Sequence, residues 1–280
     1  MNSIRMRMLK SQIIVALCGA SVIVALIPLA LILFFVIAQG ITSINWDFFT
    51  KMPKPVGEAG GGLANSIIGT LIITGLGSLF AIPIGVVAGL YAAEYQGSKL
   101  ASSVRFAADT LNGVPSIVIG VFVYGLVVLP MKQFSALAGG IALGVMMIPI
   151  IARTTEELVK LVPVALREGA LALGATRGRA VFSVVLPAAL PGIVTGIVLA
   201  LARIAGETAP LLFTSLNNRL WNTNLLQPTS TLTVQVYTYA NSPYDDWHRQ
   251  AWAACLVLVA IVLACSILAR VATRKLERMR

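Results

Sequence analysis

The strongest chemical signal in the sequence is a pair of charged residues in an otherwise apolar stretch. Arg203 and Glu207 end the uncharged run that follows Arg179, and a spacing of four predicts that both lie on one helix face. A charge inside a membrane is costly and usually faces a pathway. The planar, two-pronged guanidinium suits an oxyanion such as phosphate. We predict that Arg203 meets an anion on its path and that Glu207 neutralises Arg203 when the anion is absent. The alternative is an ion pair that only fixes the helix position.

A second signal is the polar segment 153–187. Pro163 is expected to end one helix and to start a short amphipathic one, for which Gly174 is the natural stop. The apolar face of this short helix is formed by Leu166, Ala170 and Leu173. An apolar stripe rimmed by charges predicts a surface that docks another protein. The alternative is an amphipathic hairpin that lies on lipid headgroups.

A further short helix is predicted over residues 176–185. The next apolar helix then starts at Leu186 and Pro187, close to one membrane surface. From Pro187, a rise of 1.5 Å per residue places Arg203 about 24 Å along the helix axis, in the far half of the bilayer.

The elements that position these residues follow from composition. The chain has 280 residues, of which 58% are hydrophobic and 11% are charged, and its mean hydropathy is +0.88. A soluble domain is excluded because soluble chains carry far more charge, and disorder is excluded because disordered chains lack the apolar residues that dominate here. Six uncharged gaps are long enough for a helix to cross the hydrocarbon core, and none alternates like a barrel strand. We predict an all-α integral membrane protein with six transmembrane helices. The gaps are bounded by Lys10 and Asp47, Glu58 and Glu94, Asp109 and Lys132, Lys132 and Arg153, Arg179 and Arg203, and Arg249 and Arg270.

The distribution of lysine and arginine predicts the orientation. Of 21 such residues, 15 lie on the side of the two termini, five lie on the other side and Arg203 lies within a span. The positive-inside rule therefore places both termini in the cytoplasm. The net charge of +10 reflects this topology, and no soluble basic module suggests nucleic-acid binding. We also predict no metal site, because the three cysteines lack metal-ligand spacing.

The spans and charges divide the chain into segments. Residues 1–43 form the cytoplasmic N-terminus and first helix, residues 64–272 form a core of five further spans, and residues 273–280 form a basic cytoplasmic tail. The core contains the cytoplasmic loop 153–187 and a long outer loop, 211–250. The outer loop alternates apolar and polar residues over 225–237, which predicts a short strand or an interfacial helix, with either a gating or docking role or plain packing.

The cytoplasmic loop resembles the EAA motif of ABC-importer permeases, E-A-A-x3-G-x9-I-x-L-P. The spacing matches throughout, and two positions differ by small apolar changes, Gly169 for alanine and Val184 for isoleucine. The matching residues are Glu168, Gly169, Ala170, Gly174, Val184, Leu186 and Pro187. The resemblance implies a permease bundle of the type I importers, in which the short helix docks into a cleft of a cytosolic ATPase. The expected docking residues are Leu166, Arg167, Glu168, Gly169, Ala170, Leu173, Gly174, Leu186 and Pro187.

Three further segments, 65–70, 113–118 and 202–213, resemble the phosphate-specific permeases of this superfamily, and the chain is most similar to their PstA-type subunits. The resemblance implies an importer in the bacterial inner membrane that moves phosphate by alternating access. It implies as partners a second permease subunit, two copies of a cytosolic ATPase and a periplasmic phosphate-binding protein, all within membrane lipid. The candidate pathway residues are Arg203, Glu207, Thr208, Asn65, Thr70 and Ser116. Neutral donors such as Asn65, Thr70 and Ser116 are equally expected as helix caps or interhelical hydrogen bonds.

ATP hydrolysis is assigned to the partner chain. The sequence has no G-x-x-x-x-G-K-[ST] loop, so we expect no cofactor on this chain and expect ATP and Mg on the ATPase. Two alternatives stay open at this point: a permease for another oxyanion, such as sulfate, molybdate or a phosphonate, and a membrane scaffold that transports nothing. Catalysis by this chain is disfavoured, because the spans offer only one arginine and one glutamate.

Overall fold

A computed structural model describes residues 2–56, 58 and 60–278, and the described residues form a bundle of helices. The predicted all-α class is confirmed, since the sole extended pairing within these ranges is a bridge between Pro53 and Gly61. In chain order the helices are α1 (Asn2–Gly40), α2 (Trp46–Thr50), α3 (Ala64–Glu94), α4 (Lys99–Gly113), α5 (Ser116–Val123), α6 (Leu129–Met131), α7 (Ala136–Lys160), α8 (Val164–Ala172), α9 (Arg177–Ala180), α10 (Leu186–Ala205), α11 (Ala209–Thr214), α12 (Leu232–Ala240) and α13 (Asp245–Arg278).

Five stretches of the described chain are long and apolar enough to cross a membrane. They are Met6–Ser43, Ala64–Glu94, Ala136–Lys160, Arg177–Ala205 and Asp245–Leu268. A sixth candidate is the bent pair formed by Lys99–Gly113 and Ser116–Met131, whose axes differ by 105°. The six predicted spans therefore correspond to five continuous helices and one broken one.

The third predicted span is the broken one. Pro115 separates α4 from α5, and a π-helical turn over Tyr124–Val128 joins α5 to α6. The rod from Ser116 to Met131 is only about 24 Å long at 1.5 Å per residue, less than the hydrocarbon core. The other arm, α4, carries Lys99, Arg105 and Asp109 and cannot cross lipid cheaply.

The centre of the bundle is α7, which packs along α3 through glycines. A Cβ atom placed on Gly89 would lie 2.4 Å from the carbonyl oxygen of Ala152, so the two backbones touch where only glycine fits. Gly140 and Gly144 contact the region of Gly77 in α3 in the same way, and Gly196 of α10 contacts Thr154. These glycines therefore let neighbouring helices pack closely, as membrane helices without a hydrophobic driving force require.

Two ends of the bundle are defined by the short helices that lie there. The C-terminal residue of α3, Glu94, is in ionic contact with Arg167 of α8, and this end is called the α8 end. Near the N-terminus of α3, Thr70 accepts a hydrogen bond from the backbone of α12, and this end is called the α12 end. Helix α1 packs on α13 near the α12 end, and most of its other side chains are exposed and apolar, as lipid contact requires.

The start of the fifth span differs from the prediction. Helix α9, a π-helical turn over Val181–Val185 and α10 form one rod from Arg177 to Ala205, so the span does not begin at Leu186 and Pro187. Proline normally breaks a helix because it lacks an N–H donor and clashes with a carbonyl one turn earlier. The π turn directly before Pro187 widens the helix there, and the rod continues through it.

Of the predicted segment boundaries, 43 and 64 lie at the ends of helical elements, whereas 153, 187, 211, 250 and 272 lie within helices. Only residues 132–135 separate α6 from α7, so the connection between the third and fourth spans is short. Of the predicted tail 273–280, the backbone is helical through Arg278, and residues 279–280 lie outside the described residues, as do residues 57 and 59 of the first loop.

Candidate functional site

The short helix of the polar loop forms as predicted, over Val164–Ala172. Pro163 occupies its N-cap position, and Gly174 adopts φ +83°, the left-handed conformation that ends a helix. The Ala175 N–H donates to the Ala170 carbonyl at 3.1 Å, which closes the terminal turn. The backbone signals of the sequence therefore determine this helix locally.

The surface of α8 is open. None of its residues is buried, and Leu166 and Leu171 are 46% and 45% exposed. Leu173, directly after the helix, is 91% exposed, which is unusual for leucine and leaves an apolar tip at this end of the bundle. Glu168 and Gly169 are also exposed, and no atom lies within 4 Å of a Cβ placed on Gly169. The geometry suits a surface that another protein covers.

Three of the residues assigned to docking by resemblance have other positions. Arg167 turns back into the bundle, where its Nη2 donates to the Val159 carbonyl at 2.8 Å. Leu186 and Pro187 lie inside the rod from Arg177 to Ala205 and are half-buried. Of the expected docking residues, the exposed ones are Leu166, Glu168, Gly169, Leu173 and Gly174. Leu171, which was not among them, is exposed beside them.

At the other end of the same rod, Arg203 lies in the last turn of α10. Its side chain is exposed, and within the described part of the chain no hydrogen bond or ion pair engages its guanidinium. An arginine in the last turn also interacts favourably with the helix dipole. The guanidinium is therefore available to an anion that reaches this end of the bundle.

The predicted shared face of Arg203 and Glu207 is wrong. Helix α10 ends at Ala205 and Gly206 caps it, so Glu207 lies beyond the helix, and the two side chains form no ion pair among the described contacts. The Glu207 carbonyl accepts a hydrogen bond from Thr233 Oγ1 at 2.9 Å, which ties the turn to α12. The four-residue spacing would pair the charges only if the helix continued, and the G-E-T-A-P sequence stops it.

The turn that follows carries Thr208, the third predicted residue of this group. Thr208 precedes α11, and its backbone carbonyl accepts from the N–H groups of Leu211 and Leu212. Helix α11 in turn packs on α5, where a Cβ on Gly120 would lie 2.6 Å from Pro210. The turn containing Glu207 and Thr208 is therefore fixed by contacts with α5 and α12.

Asn65 and Thr70 belong to a buried polar network at the α12 end. Asn65 Nδ2 donates to the Asn218 carbonyl at 2.7 Å, and Thr70 Oγ1 donates to Ser66 and accepts from the Leu232 N–H at 2.9 Å. Thr70 thus makes an interhelical hydrogen bond with α12, and Asn65 bonds to the loop that follows α11. Ser116 is the first residue of α5 and makes no side-chain cap. The described hydrogen bonds therefore do not join the predicted pathway residues into one network.

The polar network seats α12, the segment predicted as a strand or an interfacial helix. It is a helix, but Leu232, Val234 and Gln235 are buried, so it is inserted into the bundle and does not rest on its surface. Burial also raises the pKa of the Tyr239 hydroxyl above its usual value, and the Tyr239 ring stacks on Trp247 with centroids 4.5 Å apart. The alternation of the sequence does not separate two faces of this helix, because Thr233 and Gln235 are as buried as Leu232 and Val234.

A buried acidic residue at the α8 end was missed by the sequence analysis. Glu156 is 2% exposed and is paired with Arg105 at 2.6 Å, Lys160 at 2.5 Å and Arg153 at 3.2 Å. Arg153 also pairs with Asp109 of α4. Spacings of three and four in α7 signal the contacts with Arg153 and Lys160, but nothing in the sequence indicates Arg105. The network ties α4 to α7.

Gly69 provides a test of how α12 is held. A Cβ on Gly69 would lie 1.9 Å from the Ser230 carbonyl oxygen, so Gly69→Ala should displace the segment before α12 and lower stability by about 1–3 kcal/mol, as overpacking does. Gly75→Ala in the same helix is the control, since nothing lies within 4 Å of its Cβ. Thermal unfolding of the purified protein measures both. Equal melting temperatures for the two variants would contradict the close contact.

Comparison with known proteins places this geometry in a family. Residues 85–279 match the family model of the binding-protein-dependent transport system inner membrane component. The phosphate transport system permease protein PstA of Yersinia pestis is 46% identical over 94% of this chain and 89% of its own length. The PstA protein of Haemophilus influenzae is 44% identical, over 93% and 92%. The probable PstA protein of Methanocaldococcus jannaschii is 37% identical, over 96% and 95%.

Solved structures share the fold. A chain of the MetNI methionine ABC transporter in an inward-facing conformation superposes with a TM-score of 0.65 at 23% identity, covering 76% of this chain and 95% of that one. A chain of a bacterial alginate ABC transporter, solved with an alginate-bound periplasmic protein, gives a TM-score of 0.69 at 16% identity over 95% of both chains. The bundle is therefore that of a type I ABC importer permease, and the chain belongs to the binding-protein-dependent transport system inner membrane components as a PstA-type permease subunit.

Proposed function

We propose that this chain is one of two permease subunits through which an ATP-driven importer moves inorganic phosphate across the bacterial inner membrane. The observation that carries the proposal is the sequence identity to two phosphate transport system permeases, 46% and 44%, which extends over nearly the full length of the chain. The exposed, unpaired guanidinium of Arg203 supports it chemically, because arginine can offer a phosphate two parallel charged hydrogen bonds.

In this proposal the second permease subunit supplies the other half of the pathway. Arg203 lies at the far end of the rod whose near end, Arg177, follows the exposed α8 loop. With the termini in the cytoplasm, α8 faces the cytosol and Arg203 faces the periplasmic mouth, where a phosphate-binding protein delivers the anion. Arg203 then acts at the entrance of the pathway.

ATP hydrolysis acts on the bundle at the opposite end, the α8 end. Two copies of a cytosolic ATPase bind ATP and Mg, and one of them receives α8 with the apolar tip at Leu173. The exposure of Leu173 supports a protein partner more than a lipid one, because α8 has exposed leucines on more than one side and Glu168 stands among them. Closure of the ATPase moves α8 and switches the bundle between its outward- and inward-open states.

Reconstitution tests the proposal. The chain is purified with its partner chains, placed in proteoliposomes with ATP inside, and supplied with radiolabelled phosphate and the binding protein outside. We expect uptake that depends on ATP, with liposomes containing ADP as the control. Excess unlabelled sulfate, molybdate and a phosphonate should each leave uptake unchanged. If one of these anions inhibits uptake at the same concentrations as unlabelled phosphate, the permease is assigned to that oxyanion. Absence of any ATP-dependent uptake would favour a scaffold.

A further inference from the structure

Arg167 on α8 points away from the surface that the helix presents. Its side chain is 20% exposed, whereas Leu166 and Glu168 on either side are exposed. The guanidinium Nη2 donates to the Val159 carbonyl at 2.8 Å and lies 3.1 Å from Glu94 Oε1. A residue that docks another protein would keep its charged group on the open face of α8. Arg167 instead has its partners inside the bundle.

The two partners of Arg167 come from different spans. Glu94 is the last residue of α3, and its side chain is only 10% exposed. Val159 is fully buried in the last turn of α7. One guanidinium therefore joins α8 to the ends of α3 and α7, which are themselves locked together by the backbone contact at Gly89. Motion of α8 that reaches Arg167 acts on both spans at once.

Little else fixes α8 to these two spans. No residue of α8 is buried, and its apolar packing is against the π turn at Val181–Val185. Among the described side chains, Arg167 makes the only hydrogen bond or ion pair that joins α8 to another helix. Arg177 lines the same groove as Glu94, but it lies over the Tyr95 ring, 5.5 Å from the ring centroid.

The contact between Arg167 and Glu94 is also incomplete. Glu94 Oε1 and Arg167 Nε are both buried, and neither has a hydrogen-bond partner. Buried charged groups are strongly favoured to make such bonds, and an arginine fork can make two of them to one carboxylate. A small shift of α8 toward α3 would align one donor and one acceptor that are unused in this arrangement.

We propose that Arg167 and Glu94 form an intramolecular strut that transmits the movement of α8 to α3 and α7, and that Arg167 is a positioning residue which does not contact the ATPase. The inference rests on the proposed function only in assuming that α8 is pushed by a partner. It assigns the transmission of that movement to a single ion pair, tightened as α8 moves inward. The strut does not depend on which substrate passes through the bundle.

A charge-swap experiment in the assembled importer tests the strut. Arg167→Glu, Glu94→Arg and the double swap are compared for subunit co-purification, basal ATP hydrolysis and its stimulation by the substrate-loaded binding protein. We expect each single variant to assemble and hydrolyse ATP but to lose about tenfold in stimulation, a typical coupling between sites. The double swap should recover most of it, because it restores the ion pair with its ends exchanged.

Matched variants separate the strut from general effects. Glu157→Gln in α7 and Arg179→Gln in α9 remove exposed charges at the same end and should keep normal stimulation. If a charge reversal prevents assembly, Arg167→Gln and Glu94→Gln are measured singly and together, and a strut requires the double variant to lose no more than either single one. Additive losses, or normal stimulation in Arg167→Gln, would overturn the proposal.

A further outcome would also overturn the proposal. If Arg167→Gln no longer co-purifies with the ATPase, and the double charge swap does not restore co-purification, Arg167 contacts the ATPase. The stimulation of ATP hydrolysis can be measured whichever anion the importer carries. If the wild-type complex transports another oxyanion, that oxyanion loads its binding protein and the same stimulation ratio is measured. Failure of phosphate uptake therefore contradicts the proposed function alone, and failure of the swap contradicts the strut alone.

Discussion

Replacing Gly174 with tryptophan is expected to leave the protein in the membrane while abolishing substrate-stimulated ATP hydrolysis by the complex. Gly174 has φ +83°, which costs an L-residue about 1–2 kcal/mol, so the C-terminal turn of α8 should change shape. No atom lies within 4 Å of a Cβ at this position, so the indole enters open space and the bundle itself is not disturbed. That space is where the ATPase is proposed to meet Leu173.

Gly169→Ala is the matched control for this variant. Gly169 lies in the same helix, its Cβ would also meet open space, and alanine favours a helix by about 1 kcal/mol over glycine. Gly174→Ala separates the effect of the backbone from that of the indole. The measurement is ATP hydrolysis with and without the loaded binding protein in membranes with equal amounts of each chain. Normal stimulation in Gly174→Trp would remove α8 as the docking site.

Arg203→Gln is expected to lower phosphate uptake about 10- to 100-fold, the range that loss of a charged hydrogen bond produces. Because Arg203 is exposed and engages no described partner, its removal breaks no contact within the chain. Assembly and basal ATP hydrolysis should therefore stay normal. Initial rates of uptake over a range of phosphate concentrations measure the loss.

Two further substitutions show whether the loss reflects a bound anion. Arg203→Lys keeps the charge but not the two-pronged geometry and should fall between the wild type and Arg203→Gln. Arg249→Gln removes another exposed arginine near the α12 end, one that is 3.7 Å from Asp246, and should transport normally. Uptake at the normal rate and affinity in Arg203→Gln would leave Arg203 as a residue that only positions its helix.

The features that the sequence predicted well depend on short-range rules. The apolar gaps and the limits of α8 each follow from a few neighbouring residues. Pro163 cannot extend the preceding helix and Gly174 readily takes a positive φ, so this helix begins and ends as expected. The six spans could be predicted from the length of apolar helix that a bilayer requires, although Pro115 divides one of them.

Errors arose where local rules compete. The proline at position 187 suggested a boundary, but the π turn before it lets the helix continue from Arg177. The spacing of Arg203 and Glu207 suggested a pair, but the helix stops between them at Ala205. In both cases the outcome depends on how the backbone hydrogen bonds are distributed, which spacing alone does not specify.

By itself, the sequence determined the class of protein, the number of apolar segments and the helix α8, because hydrophobicity and backbone stereochemistry act over a few residues. Only the tertiary structure decided which side chains meet. Arg167 and Glu94 are far apart along the chain, as are Thr70 and Leu232, and each contact exists because helices that pack through glycine bring distant residues together. A polar residue in such a bundle bonds to whatever the packing places beside it, since lipid offers no other partner.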